Sequence, residues 1–218
     1  MKYLRLKNSQ EQVAIGKMVC VGRNYAAHAK ELGNEVPEFP IIFLKPASNI
    51  IFSGDNVVHP SYSKDLHHEV ELVLYIGEDI KDADDEKAEK AIHGYTIGLD
   101  MTLRDLQNEF RKKGDPWTLA KCFDTAAVLT DVVLKKDYVL RGDENISLSV
   151  NGNIRQNSSI ANMIFSPKEI VKYISSRMTL EKGDLIFTGT PESVGRVVHG
   201  DVIEAQLENI GSIKTEIK

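Results

Sequence analysis

Residues 69–76 read Glu-Val-Glu-Leu-Val-Leu-Tyr-Ile, and no other run narrows the fold of this chain as far. Val70, Leu72, Val73, Leu74 and Ile76 mark a core strand. Glu69 and Glu71 lie two apart on it, so the strand repeat puts both carboxylates on one face. Adjacent carboxylates near a core repel each other unless a cation lies between them or one takes up a proton. A second apolar run, residues 95–100, ends in a third carboxylate, Asp100. Carboxylates delivered from strands suit a hard cation, Mg²⁺ or Mn²⁺, with water and substrate filling the remaining positions. Two plainer readings stand beside this one. Glu69 can face solvent or pair with a Lys or Arg, and Asp100 can cap the helix that follows it.

The rest of the chain predicts a β-rich α+β domain of mixed strand order with three or four helices between the strands. Residues 1–7 read as an edge strand in a short N-terminal region, 1–16, of a single domain spanning 1–218. Residues 18–21 and 41–44 read as strands. Between them, Asn24 is placed to cap a short helix and Gly33 to end it. Residues 84–92 read as a surface helix. Thr102 is expected to cap a helix over 103–113 that Gly114 ends, with Leu103, Leu106 and Phe110 as its apolar stripe. Residues 115–123 read as irregular. Asn151-Gly152 after an alternating run predicts a type I′ hairpin. Ser166-Pro167-Lys168-Glu169 is a capping box with proline at the first helical position. Strands are expected at 185–187, 202–208 and 213–217.

Several polar residues carry possible chemistry. His28 and Glu31, three apart, share a helical face, and Glu31 can orient His28 as a general base on water. The plain alternative is a surface helix; a short polar helix bounded by glycine also suits a lid. The Thr188-Gly189-Thr190-Pro191 loop can offer N–H groups and hydroxyls to an anion, or be a simple turn. Lys121 can neutralise a developing oxyanion or be an exposed lysine, and Lys45 and Arg23 are similar cases.

Taken in order, Val21-Gly22-Arg23-Asn24-Tyr25 with His28 and Glu31, Phe43-Leu44-Lys45-Pro46, His68-Glu69-Val70-Glu71-Leu72, Gly98-Leu99-Asp100, Arg104-Asp105-Leu106-Gln107, Lys121-Cys122-Phe123-Asp124 and Thr188-Gly189-Thr190-Pro191 resemble the fumarylacetoacetate hydrolase family. The likeness runs from about Lys17 to the end and is nearest the single-domain branch of acylpyruvate hydrolases that also act as oxaloacetate decarboxylases. It implies a mixed β-sandwich roll with a few peripheral helices, Mg²⁺ or Mn²⁺ held by Glu69, Glu71 and Asp100, a water-activating dyad of His28 and Glu31, and an enolate supported by Lys121. It also implies substrate contacts from Arg23, Tyr25, Lys45, Arg104, Gln107 and Thr190, a small 2-oxo acid as substrate, and a homodimer. Residues 33–40 and 107–120 are expected to set substrate choice. Oxaloacetate tautomerisation and isomerisation in aromatic catabolism are alternative reactions. A non-catalytic metal-binding protein is the alternative of another class, and the presence of His28, Glu31 and Lys121 argues against it.

Composition limits the remaining classes. A net charge of −5 argues against nucleic acid as the main partner. No apolar run reaches the roughly 20 residues of a membrane span. With no charged-then-apolar signal pattern at the start and only Cys20 and Cys122 for thiols, a reduced cytoplasmic protein with buried thiols is expected. A Cys-based zinc site is excluded by count.

Overall fold

The strand Val70–Ile76 is buried along its whole length, and the fold is built on its two faces. The computed structural model describes residues 2–31, 33 and 35–218. In chain order the elements begin with β1 (Met18–Gly22), α1 (Ala26–Glu31), β2 (Ile41–Lys45), β3 (Ile50–Phe52), β4 (Leu66–His68), β5 (Val70–Ile76), α2 (Asp85–Ala91), β6 (Ile92–Asp100) and β7 (Thr102–Leu103). They continue with α3 (Arg104–Lys113), α4 (Thr118–Lys121), β8 (Ala127–Leu129), β9 (Val133–Leu134), β10 (Asn145–Val150), β11 (Asn153–Ser159) and α5 (Pro167–Arg177). The last strands are β12 (Leu185–Phe187), β13 (Gly195–Val197), β14 (Val202–Leu207) and β15 (Gly211–Glu216).

The main sheet runs β2-β1-β12-β5-β6-β8-β3, with β9 also on β6. It is mixed: β1 and β12 are parallel, as are β3 and β8, while β5 pairs antiparallel with β12 and β6. Alternation along β5 feeds two cores. Val70, Leu72, Leu74 and Ile76 pack into one, against Ile146, Leu148, Ile203 and Leu207 of a second sheet ordered β11-β10-β14-β15. Val73 and Tyr75 join the other, with Phe187, Leu129, Leu4 and Ile15. Glu71 shares the Val73 face by the same alternation. Glu69 lies just before β5, yet the Asp100 N–H donates to its carbonyl oxygen at 2.8 Å, so the ladder carries the Glu69, Glu71 and Asp100 backbones side by side.

The hairpin and capping-box expectations match the structure. Asn151 and Gly152 both have positive φ, 52° and 76°, as a type I′ turn needs. The Ser166 hydroxyl and the Glu169 carboxylate cap α5 reciprocally. Other expectations need correction. The edge strand expected over residues 1–7 is not formed among the described residues 2–7, where Tyr3 bridges Ala14 and Leu6 bridges Val132 and Leu4 and Leu6 cover the second core; Met1 lies outside the described residues. Residues 115–123 include a helical turn, α4. Helix α3 starts at Arg104, and Thr102 does not cap it, because Thr102 belongs to β7 and its hydroxyl donates to the Asp100 carbonyl at 3.2 Å. The best-buried residue of α3 is Arg104, while Leu106 and Phe110 are half-buried. Asn24 does not cap α1: its side chain is consumed by Phe165 and Thr188. Leu32 and Asn34, within the predicted helix and loop, lie outside the described residues. Cys20 is buried, but Cys122 is only half-buried.

Candidate active site

The three carboxylates come together. Glu69, Glu71 and Asp100 are all buried and each offers an oxygen within 4.8 Å of the others. Their charge is matched unevenly. Lys121, at the end of α4, donates to Glu69 at 2.8 Å, to Asp100 at 2.6 Å and to the Thr102 hydroxyl at 2.7 Å. Arg104 pairs with the other Glu69 oxygen and hydrogen-bonds Gln107. Lys45 approaches Asp100 from behind at 2.7 Å and donates to the carbonyls of Met101 and Ala126. Among the described residues, Glu71 receives only the Gly189 N–H, at 2.7 Å.

These surroundings move the titrations in opposite directions. Burial raises the Glu69 pKa, but Lys121 and Arg104 outweigh it and leave it lowered. Burial, then Asp100 and Glu69, push Glu71 well above the usual carboxylate range. Burial pulls Lys121 down, but Asp100 and Glu69 overcome this and hold it protonated. An all-oxygen donor set with one under-compensated carboxylate fits a hard divalent cation, Mg²⁺ or Mn²⁺.

The Gly189 contact depends on backbone freedom. Gly189 has φ 97°, and a Cβ there would lie 2.7 Å from the Asn24 Cβ and 3.1 Å from the Val21 carbonyl oxygen. The loop therefore spends one of its N–H groups on the protein's own Glu71 carboxyl group.

A cavity of about 70 Å³ opens beside the carboxylates. His28, Lys121, Arg104, Gln107, Arg23 and Thr190 line it with them. Phe43 and Trp117 form an apolar wall, their rings edge to face at 6.0 Å. His28 is buried, its Nδ1 3.3 Å from the Glu31 carboxylate. Burial lowers its pKa, while Glu69 and Glu31 act in the opposite direction. Glu31 is itself held by the Ser193 N–H at 3.0 Å.

Two expected substrate contacts fall elsewhere. Lys45 stands behind Asp100, and its alkyl stem belongs to the neighbouring groove. Tyr25 is enclosed, its hydroxyl without a hydrogen-bond partner, and does not line the cavity. Arg111 and Asn108 line the cavity, within the stretch expected to set substrate choice. Sequence reasoning missed Gln156, which reaches Thr190 from β11, and the Phe43–Trp117 wall.

A match to the model of the fumarylacetoacetate (FAA) hydrolase C-terminal family spans residues 17–218, and the chain belongs to that family, whose members are enzymes. Among curated relatives, the mitochondrial oxaloacetate tautomerase of Arabidopsis thaliana is 45% identical over 93% of this chain and 91% of its own. The mitochondrial oxaloacetate decarboxylase of Dictyostelium discoideum is 44% identical over 89% of each. Among solved structures, fumarylpyruvate hydrolase from Pseudomonas aeruginosa, in complex with Mn²⁺ and pyruvate, aligns with a TM-score of 0.95 at 38% identity, covering 99% of this chain and 95% of that one.

Proposed function

We propose that this protein is a divalent-metal-dependent enzyme of small 2-oxo acids, cleaving acylpyruvates by hydrolysis of a C–C bond. One observation carries the reading: His28, backed by Glu31, opens onto the same small cavity as Glu69, Glu71 and Asp100. Those three carboxylates would hold Mg²⁺ or Mn²⁺. When bound, the ion supplies Lewis-acid stabilisation of the negative charge that develops on the 2-oxo oxygen.

The chain's own groups account for the remaining steps. His28, kept neutral by its lowered pKa, takes a proton from water as the water oxygen attacks the distal carbonyl carbon. Glu31 orients the imidazole and balances the charge it gains. The bond between that carbon and C3 of the pyruvate unit breaks, and its electron pair becomes the enolate. Lys121 offers a fixed positive charge beside the enolate oxygen. A proton returned to C3 completes pyruvate. Arg104, Gln107 and Thr190 surround the carboxylate end. Arg23 and Arg111 line the cavity wall, where either can meet a second carboxylate on the substrate.

Keto–enol tautomerisation or decarboxylation of oxaloacetate is the second reading, favoured by the names of the relatives at 45% and 44% identity. Both need the same enolate-stabilising groups, with less demand on His28 for water activation. A panel of acetylpyruvate, fumarylpyruvate and the keto and enol forms of oxaloacetate, with Mg²⁺, Mn²⁺ or EDTA, separates the two. Metal-dependent release of pyruvate and the free acid from acylpyruvates supports hydrolysis. Turnover of oxaloacetate alone overturns hydrolysis in favour of the second reading, and no turnover of any 2-oxo acid removes both. We also propose that the protein pairs with a second copy through β2 and α4, supported by the exposure of Leu44 on β2 and Leu119 on α4; sedimentation tests it.

A further inference from the structure

We infer that Gln156 is a positioning residue that biases the Thr190 hydroxyl toward donating a hydrogen bond to the bound 2-oxo acid. The inference rests on the proposed function only in taking a 2-oxo acid as the cavity's ligand. Gln156 is fully buried on β11, behind the loop that follows β12. Its amide orientation is fixed by its neighbours. On one side the Val70 N–H lies 3.2 Å from Oε1 and must donate to it. On the other, Nε2 faces the carbonyls of Pro191 and Glu192 at 2.9 and 3.3 Å, which can only accept. The same Nε2 lies 2.9 Å from the Thr190 Oγ1.

Nε2 has two protons, and the Pro191 carbonyl and the Thr190 hydroxyl are the two nearest acceptors, so Thr190 receives a hydrogen bond from Gln156 and keeps its own proton for another partner. Thr190 lines the cavity beside Glu71 and His28, so an acceptor oxygen of the ligand is the partner within reach. A hydroxyl free to rotate serves donor and acceptor ligands alike; one that already accepts from Gln156 is biased toward carboxylate or enolate oxygens. The amide also ties the loop to the strand carrying Glu71: Gln156 binds the Val70 N–H at one end and the Pro191 carbonyl at the other. The same loop supplies the Gly189 N–H to Glu71 and the Ser193 N–H to Glu31.

The test uses Mn²⁺-loaded protein and oxalate, a stable mimic of a 2-oxo acid enolate, with binding read by calorimetry. Thr190→Val is expected to weaken oxalate by about tenfold, the size of one lost hydrogen bond to a charged group. Gln156→Leu should weaken it similarly, and the double variant no further than the larger single loss. Gln156→Glu replaces the donor by a carboxylate that accepts from Thr190, and should reproduce the Thr190→Val loss. Thr190→Ser, which keeps the hydroxyl, should recover most of the oxalate affinity that Thr190→Val loses. Mn²⁺ affinity and the thermal midpoint, measured on every variant, identify loop collapse, which would weaken metal and oxalate together. If Gln156→Leu does not fold, Gln156→Glu and the Thr190 pair still decide the matter. Wild-type oxalate affinity in both Gln156 variants, or additive losses in the double variant, would overturn the inference. Failure of the wild-type protein to bind oxalate would instead count against the 2-oxo acid reading.

Discussion

Glu69 and Glu71 are the same residue type, two positions apart, yet the two ends of the site around them have opposite electrostatic characters. Around Glu69 the protein supplies its own counter-charge, Lys121 on one oxygen and Arg104 on the other. Around Glu71 it supplies one neutral N–H from Gly189 and sets Asp100 and Glu69 nearby. The first end is complete as a buried ion-pair network. The second is complete only with a proton or a cation. The difference gives the cluster a direction: the shortage of positive charge lies at Glu71, since Asp100 is paired with Lys45 and Lys121.

The largest expected effect breaks both ends. Alanine at both Glu69 and Glu71 should remove metal-dependent turnover of the wild type's best substrate, a loss of at least about a thousandfold given the several kcal/mol a Lewis acid contributes. Calorimetry should show no Mg²⁺ or Mn²⁺ binding. Undiminished turnover in that variant would mean the site lies elsewhere.

Next in size is Glu69→Gln in the metal-free protein. It leaves buried Arg104 against a neutral amide and takes one of the two carboxylates from Lys121, which keeps Asp100, and breaking a buried pair by removing one partner costs about 3 kcal/mol. Chemical denaturation should show the loss. Glu71→Gln should do the reverse on a smaller scale. The amide oxygen still accepts from Gly189, and repulsion from Asp100 and Glu69 disappears, so the metal-free protein should gain about 1 kcal/mol. The same change should reduce the stabilisation that saturating Mg²⁺ gives wild type. If both glutamine variants destabilise metal-free protein equally, the asymmetry is not real.

Legibility in the sequence follows the same division between local and distant causes. The strand period alone put Glu69 and Glu71 together, and an apolar strand ending in Asp100 suggested the third carboxylate. The hairpin and the α5 cap were legible because their chemistry is local. What sequence pattern missed was settled by distant partners. Lys45 looked like Lys121 in sequence, but the antiparallel pairing of β1 and β2 puts Met18 opposite Lys45, and its ammonium ends behind Asp100. Asn24 sat in a capping position, but its amide is taken by residues 165 and 188. Gln156 was hidden by a β-bulge. Counting back from the Asn151-Gly152 turn places Arg155 opposite inward-facing Leu148, whereas the bulge between Leu148 and Ser149 puts Gln156 there. Nothing in an Asn-Ile-Arg-Gln-Asn run announces that shift.

The smallest expected effect concerns Glu31, the carboxylate of the dyad, and it sharpens what a counter-charge does at this site. Burial holds the His28 pKa below its ordinary 6.5, with Glu69 and Glu31 opposing the shift. The neutral imidazole is the form that accepts a proton from water. Activity should therefore persist as pH falls past 6.5 and decline only as His28 protonates at lower pH. Replacing Glu31 by Gln removes an influence that favours the imidazolium, so the acid limb of kcat/KM should move to still lower pH. The plateau should fall at the same time, because the charge His28 gains during attack is no longer balanced. A pH profile of acylpyruvate hydrolysis measures both changes. A limb that moves upward would assign it to another group, and an unchanged plateau would leave Glu31 no part in orienting the base.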